Sequence, residues 1–271
     1  MDNLKLLGLQ RAEYEVAENK LNTAGKVQFI IVAVSIIAIS TSHTWIVYLG
    51  SILNLFLVFV WQLLAYQGRK SHHIAERARR MVVLSEGLGI QISGKQYSDI
   101  RMQFTVSPSD GKKHENQNYY KANESPGNAR LAEMLQESAF WSKHLLDRSS
   151  SRYWLLFVVT LLSAFVGLLL LYSVPNLLIV QIFSVLLIWL ITGGLFSDAL
   201  KFTIAARAID DVENRLDGYL SAQSLDKDLL VILGDYNAIV QEIPTIPSSI
   251  YYSLRDKLNK LWIESRKANN K

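Results

Sequence analysis

Long uncharged apolar runs alternate with charged blocks along the chain, unlike the interleaved pattern of a soluble surface. A hydrocarbon core about 30 Å thick is spanned by roughly 20 apolar residues in a helix. Four runs approach that length, at 27–42, 44–67, 153–173 and 176–197, and none contains Asp, Glu, Lys or Arg. We therefore predict an all-α membrane protein with four transmembrane helices in two hairpins and a mainly helical cytoplasmic region.

Basic residues lie at one end of each predicted hairpin. The tips, 40–44 and 173–176, lack Lys and Arg, whereas the other ends carry Lys26, Arg69, Lys70, Arg77, Arg79, Arg80, Lys143, Arg148, Arg152 and Lys201. The positive-inside rule then places every soluble segment and both termini in the cytoplasm. The predicted division is an amphipathic N-terminal helix (1–26), hairpin one (27–67), a central cytoplasmic region (68–152), hairpin two (153–197) and a helical C-terminal region (198–271).

Outside the spans, apolar residues recur at helical spacing. The helix of the second span is predicted to continue through Ile74 and Met81 until Gly87 and Gly89 end it. A stripe after the fourth span predicts a packed helical stalk or a short coiled coil. Its members are Phe202, Ala205, Ile209, Val212, Leu216 and Leu220.

Turn-forming residues mark the remaining boundaries. Segment 107–128 is rich in Ser, Asn, Gly, Lys and Pro, which predicts a loop, and 129–146 has the pattern of a helix that enters the third span. Gly193 and Gly194 predict a bend in the fourth span. Pro244 and Pro247 interrupt the C-terminal region, and Ser248 or Ser249 is predicted to cap a last helix after them.

The charge balance and the cysteine content limit the kinds of site that the chain can contain. The central region, 68–152, holds 14 Lys and Arg against 9 Asp and Glu, a balance that suits anionic lipid or an anionic ligand. The chain has no cysteine, which excludes a disulfide framework, a thiol nucleophile and a thiolate zinc site.

One motif resembles a nucleotide-binding loop. Gly89, Gly94 and Lys95 have the spacing of a phosphate-binding loop, but Gln96 stands where a hydroxyl must bind magnesium, so we interpret the segment as a structural turn. The adjacent His72 and His73 point about 100° apart on a helix and cannot share a metal in the usual way. No enzyme signature, metal site, cofactor or DNA-binding function is predicted.

Basic and aromatic side chains of the central region form the candidate ligand-binding set: Arg77, Arg79, Arg80, Lys112, Lys113, Tyr119 and Tyr120. Guanidinium groups and aromatic rings suit the phosphate and base of a nucleotide. The alternative, which the frequency of juxtamembrane basic clusters favours, is that the arginines contact lipid headgroups and the lysines lie in a solvated loop.

The spans contain a few uncharged polar residues, notably Asn54, Gln62 and Gln181. Interhelical hydrogen bonding is the simpler explanation, and a pore or wet seam in a homo-oligomer is the alternative. Ser163 and Gly167, four residues apart, allow helices to approach closely. The absence of charge within the spans argues against a voltage sensor and weakens the case for a proton-coupled transporter.

The chain resembles the SMODS-associated four-transmembrane effector family of bacteria. The likeness lies in the two-hairpin arrangement and in 119–121 (YYK), 125–127 (SPG), 130–141 (RLAEMLQESAFW), 235–237 (DYN), 246–247 (IP) and 255–262 (RDKLNKLW). The resemblance implies a homo-oligomeric effector in the bacterial inner membrane that acts in anti-phage defence. Its implied partners are the lipid bilayer and a cyclic oligonucleotide or the nucleotidyltransferase that makes one. The family has no established catalytic residues.

Two other functions remain open. One is a structural membrane adaptor, whose cytoplasmic helices recruit a soluble partner without conducting ions. The other is a nucleotide-hydrolysing membrane enzyme that uses Lys95. Ion flux distinguishes the effector from the adaptor, and magnesium-dependent hydrolysis would identify the enzyme.

Overall fold

The computed structural model describes residues 3–116, 119–122, 124–170, 176–192, 194–222 and 226–269, and the regular secondary structure within those ranges is entirely helical. The prediction of an all-α protein is therefore confirmed. The helices are α1 (Asn3–Ser40), α2 (Thr44–Leu88), α3 (Gly94–Gln103), α4 (Pro108–Lys112), α5 (Asn128–Leu170), α6 (Asn176–Thr192), α7 (Leu195–Ala222), α8 (Asp226–Glu242) and α9 (Ser248–Asn269).

Among the described residues, four stretches of helix are long and apolar enough to cross a membrane, as predicted: Asn3–Ser40, Thr44–Leu88, Asn128–Gly167 and Leu177–Ser221. The last covers α6 and α7. At most 11 % of the most apolar window in each stretch is buried within the protein. Apolar side chains in these windows therefore face outward, which is stable in hydrocarbon and costly in water.

The chain divides into two compact units. The polar unit consists of Met1–Glu18, Lys70–Ser149 and Phe202–Lys271, and the apolar unit consists of Asn19–Arg69 and Ser150–Lys201. Helices α1, α2, α5 and α7 each contribute residues to both units.

One core cluster of the polar unit joins α1, α2, α3 and the segment that follows α3. Its members are Leu6, Leu7, Leu9, Ala12, Ile74, Ala78, Val82, Ile100, Phe104 and Val106. The backbones of α1 and α4 approach unusually closely at Gly8. A Cβ built on Gly8 would lie only 2.3 Å from the carbonyl oxygen of Gly111. The absence of a side chain at Gly8 is what allows this contact.

Helix ends that depend on local signals were predicted correctly. Helix α2 ends at Leu88, and Gly89 follows with φ +72°, the left-handed conformation of a helix-terminating glycine. Helix α9 begins at Ser248. The predicted stripe on α7 is packed within the polar unit, where Phe202, Ile209 and the other members through Leu216 are buried, and Leu220 is 37 % exposed.

The prediction of a loop over 107–128 was wrong in part, and α3 was not anticipated. Both missed helices start with a capping box, in which a serine hydroxyl accepts from a backbone N–H and the side chain three residues later accepts from the serine N–H. The pairs are Ser93 with Gln96 and Ser107 with Asp110. Gln96, which departs from the phosphate-loop pattern, thus helps to start α3, whose first residues are Gly94 and Lys95.

In the apolar unit, α1 and α2 pack antiparallel. Asn54 donates from Nδ2 to Oγ of Ser35 at 2.9 Å, and a Cβ on Gly50 would lie 3.1 Å from Cβ of Ala38. Aromatic rings make further contacts, with centroids of Phe29 and Trp189 5.5 Å apart.

The helix of the fourth candidate span ends and a new one begins at the position where a bend was predicted. Helix α6 ends at Thr192, α7 begins at Leu195, and Gly194 has φ +111°. Gly193 lies outside the described residues, as does 173–175 of the second predicted hairpin tip.

Candidate functional site

A cavity of about 390 Å³ lies within the polar unit. Its walls come from α1, α2, α5, α8, α9, the segment 243–247 and residues near 120. A volume of this order is typical of small-molecule sites, which span roughly 300–1,000 Å³. Aromatic side chains are prominent in the lining: Tyr14, Tyr119, Tyr120, Trp141, Tyr236 and Tyr251.

The cavity brings together only part of the predicted ligand-binding set. Arg79, Tyr119 and Tyr120 line it, and the rings of the two tyrosines meet edge to face with centroids 4.8 Å apart. The other four members, Arg77, Arg80, Lys112 and Lys113, do not belong to the lining.

Arg79 is buried in a hydrogen-bonded network. Its Nε lies 2.9 Å from Oε2 of Glu76, and its Nη2 donates to Oδ1 of Asn237 at 2.8 Å. The guanidinium carbon stands 5.0 Å from the ring centroid of Tyr236, and Tyr14 donates its hydroxyl to Oε1 of Glu76. Arg79 is 7 % exposed, so it does not occupy the surface position that contact with lipid headgroups requires.

The basic residues outside the cavity are accounted for by other surroundings. Lys112 and Lys113 are exposed, and Nζ of Lys113 lies 2.9 Å from Oδ1 of Asp110. Hydrogen bonds from Ser107, together with the charge and hydrogen bond of Lys113, lower the pKa of Asp110 to about 2. Arg77 is exposed and Arg80 is half-buried. The two lysines are therefore solvated as that interpretation holds, but Lys112 is the last residue of α4 and does not lie in a loop.

A second guanidinium, from Arg11 on α1, also lines the cavity and was not anticipated from sequence. Its guanidinium carbon lies 4.4 Å from the ring centroid of Tyr251. Within the described residues, no carboxylate lies within ion-pair distance of Arg11. A cation held on an aromatic face retains N–H donors for an anion.

Carboxylates line the cavity as well, but each is engaged with the protein. The four are Glu15, Glu18, Glu76 and Glu137. Glu18 accepts from the N–H and hydroxyl of Ser248, and Glu137 accepts from the N–H of Lys121 at 2.8 Å. Glu15 lies 3.5 Å from His114. The four carboxylates balance the formal charges of the four basic lining residues, so the lining is polar and nearly neutral overall. The basic residues are Arg11, Arg79, Lys121 and Arg255.

Several buried polar atoms on lining residues have no hydrogen-bond partner within the described part of the chain: Oε1 of Gln10, Nδ1 of His72, Nη1 of Arg79 and Oγ1 of Thr245. Buried polar groups are normally paired with protein, water or ligand. These four atoms have almost no accessible surface, so they lie within the walls of the cavity and not on its open face. The cavity lining itself offers hydrogen-bond donors, acceptors and aromatic faces, which together suit a polar molecule that contains a flat ring.

His72 is held in its neutral form at this site. Burial is the main cause that lowers its pKa, His73 and Arg79 lower it further, and the Glu76 carboxylate opposes them. Its Nε2 lies 3.4 Å from the carbonyl oxygen of Val240. His73 is exposed, and its ring lies edge to face with the ring of His72, with centroids 6.1 Å apart.

The predicted pore or packing residues are dispersed over the apolar unit. Asn54 makes the contact with Ser35 described above, whereas Gln62, Gln181 and Ser163 are exposed on the surface of that unit. A Cβ on Gly167 would meet no atom within 4 Å. Of the predicted polar residues, Asn54 therefore makes a hydrogen bond between helices of the apolar unit. Gln62 and Gln181 are exposed and can contact lipid or another protein.

The fold and the site define the class of protein. Its described residues are all-helical where they are regular, and they include four stretches of helix suited to crossing a membrane. The polar unit contains a cavity lined by polar and aromatic side chains. Comparisons with protein-family models, with curated proteins and with solved structures each gave no match.

Proposed function

We propose that the protein is a membrane effector of a bacterial anti-phage defence system, and that it forms a pore or disrupts the inner membrane when a signal molecule binds in the cavity of the polar unit. A cyclic oligonucleotide has the required chemistry, with phosphates for guanidinium groups and bases for aromatic faces. The observation that carries the proposal is the cavity itself, where Arg11 and Arg79 lie among six aromatic side chains.

Three of the helices that line the cavity also carry membrane-crossing segments. Tyr14 belongs to α1, Arg79 to α2 and Trp141 to α5, and each of these helices contains a candidate span. A ligand that contacts these residues therefore acts on the ends of membrane helices. It shifts their arrangement only if it binds the conducting state more tightly than the resting state.

The proposed topology is two hairpins with both termini in the cytoplasm. It is supported by the concentration of Lys and Arg at one end of each pair of spans. In this orientation the polar unit faces the compartment where a nucleotide signal is made.

The proposed active form is a homo-oligomer. Gln62 and Gln181 are exposed on the apolar unit. An uncharged polar side chain in hydrocarbon is stabilised by a partner on another helix, and contact between copies supplies one.

The proposal is tested with a membrane-potential dye in bacteria that express the chain together with an active or an inactive cyclic-oligonucleotide synthase. We expect depolarisation only with the active enzyme. Arg11→Gln and Tyr120→Phe should reduce it, whereas Arg80→Gln, a matched change outside the cavity, should not. If confirmed membrane insertion and signal production give no depolarisation, the structural-adaptor function replaces this one.

A further inference from the structure

We propose that α9, together with the segment 243–247, is a strap that opens and closes the cavity, and that the contact between Glu18 and Ser248 is the latch that holds it shut. The strap is inferred from geometry within the polar unit. It rests on the proposed function only for its consequence in the membrane.

The strap forms one wall of the cavity. From α9 the lining takes Ser248, Tyr251, Arg255 and Asn259, and from the preceding segment it takes Ile243, Pro244, Thr245 and Ile246. Removal of this wall would therefore open the cavity along one side.

The strap is anchored by a small apolar cluster that is separate from the cluster formed by α1, α2 and α3. Leu145 of α5 packs with Ile250 and Leu258 of α9, and partly buried side chains such as Phe140 and Trp141 surround them. Of the α9 side chains that the structure describes, only Ile250, Leu258 and Trp262 are buried. Elements with few buried apolar contacts open locally at lower free energy than the core.

Two charged residues of α1 contact the first turn of α9 and hold it in the closed position. Glu18 accepts from the backbone N–H of Ser248 at 2.9 Å and from its hydroxyl, so a carboxylate sits at the N-terminus of α9. Arg11, seven residues earlier and therefore on the same face of α1, lies over the ring of Tyr251. Hydrogen bonds to a carboxylate and the favourable helix dipole both stabilise the closed position.

The cavity contents and the strap are linked through Arg11. An anion in the cavity binds the same guanidinium that contacts Tyr251, so occupancy and the position of α9 affect each other. By this arrangement a signal molecule reaches Arg79 after the strap has opened, and the latch sets how often that happens.

The absence of native cysteine permits a direct test on the full chain in detergent. Gln10 lines the cavity and is 3 % exposed, so Gln10→Cys places a single thiol that a negatively charged thiol reagent reaches only through the opened cavity. Adding Glu18→Ala should speed labelling by about tenfold or more, the usual effect of losing hydrogen bonds to a charged group. Glu264→Ala, an equal charge change on the exposed side of α9, should leave the rate unchanged.

Two further variants keep the test decisive if Glu18→Ala disturbs folding, which circular dichroism would reveal. Ser248→Ala removes one of the two latch hydrogen bonds and should give an intermediate rate. A Glu18→Cys, Ser248→Cys pair joined by a short reducible cross-linker should slow entry of a nucleotide-sized fluorescent anion, and reductant should reverse this. Equal labelling rates with and without the latch would overturn the proposal.

The same variants distinguish failure of the strap from failure of the proposed function. Faster labelling without signal-dependent depolarisation in cells would leave the strap standing and remove the effector function. Depolarisation that is unchanged by the latch variants, together with unchanged labelling, would remove the strap and leave the effector function.

Discussion

The carboxylate of Glu13 accepts two hydrogen bonds from Thr105, one from the backbone N–H at 2.8 Å and one from the hydroxyl at 2.9 Å. The N–H of Val106 is 3.3 Å from the same carboxylate. Glu13 is completely buried, so these bonds replace its entire hydration shell. These hydrogen bonds hold Thr105 and Val106, which follow α3, against α1.

We expect Glu13→Ala to lower the free energy of unfolding of the polar unit by about 2–4 kcal/mol, because two backbone N–H groups lose their acceptor inside the protein. Urea unfolding in detergent, followed by circular dichroism, measures the change. The same substitution at the exposed Glu242 should be nearly neutral. Equal effects at both positions would show that the buried contact contributes little.

Close packing of α1 and α4 gives a second prediction. Gly8→Ala places a Cβ 2.3 Å from the carbonyl oxygen of Gly111, so the backbones must separate, at a cost of about 1–3 kcal/mol or more. Gly218→Ala on α7 meets no atom within 4 Å and should stabilise the helix by about 0.5–1 kcal/mol. Thermal unfolding midpoints in one detergent should therefore move in opposite directions. A shift in the same direction for both variants would contradict the backbone contact.

Removal of Arg79 should be far more damaging than removal of its neighbour. Arg79→Ala leaves Glu76 buried without its cation, a change that typically costs about 3–5 kcal/mol. The double variant Glu76→Ala, Arg79→Ala removes both charges and should recover part of that loss. Arg77→Ala, at an exposed position, should change unfolding little. A double variant as unstable as the sum of the single variants would show that the two charges do not interact.

Stability of the polar unit should rise with pH through the range set by His72. Burial lowers its pKa below the usual 6.5, so the unfolded chain binds a proton at a pH where the folded chain does not. The contribution is fully present above pH 6.5 and is lost as pH falls from there toward the folded-state pKa. The groups that face His72 are Tyr14, His73, Glu76 and Arg79.

The measurement is the unfolding midpoint in detergent from pH 5 to 7.5. His72→Gln should flatten the rise, and His43→Gln, at an exposed position, should keep it. A slope unaffected by His72→Gln would assign the pH dependence to other groups.

The exposed glutamines of the apolar unit test self-association. Gln62→Leu and Gln181→Leu should weaken contact between copies, by about 1 kcal/mol or less each, as measured by energy transfer between labelled chains in vesicles. Ser51→Ala is the control, because that hydroxyl donates to the carbonyl of Val47 within its own helix. Unchanged transfer in the double glutamine variant would exclude these residues from the contact between copies.

Local signals explain what could be predicted from sequence. Gly89 ends α2 because its left-handed conformation acts on its own turn of helix. The start of α9 near Ser248 was predicted from the serine, but the hydroxyl of Ser248 donates to Glu18 of α1 and does not cap its own helix. The starts of α3 and α4 also depend on local signals, the capping boxes of Ser93 and Ser107. These capping boxes lie in polar segments of the sequence, whose composition favours the prediction of a loop. Helix capping was thus a usable signal that polarity obscured.

The cavity is different, because it assembles residues that are distant in sequence. Arg11 and Tyr251 meet across almost the whole chain, and no local pattern indicates their contact. A partial signal did exist on α2, where His72, Glu76 and Arg79 follow helical spacing and share one face. Arg77, Arg79 and Arg80 are neighbours in sequence, but only the neighbouring helices decide which one is buried.

Gly194 marks a difference between the candidate spans. Helices α1, α2 and α5 each run without a break from cavity-lining residues into an apolar window. In the fourth candidate span, α6 ends at Thr192, α7 begins at Leu195, and Gly194 has φ +111°. A twist about the axis of α7 can therefore be taken up by backbone rotation at Gly194, whereas a continuous helix passes such a twist along its hydrogen bonds.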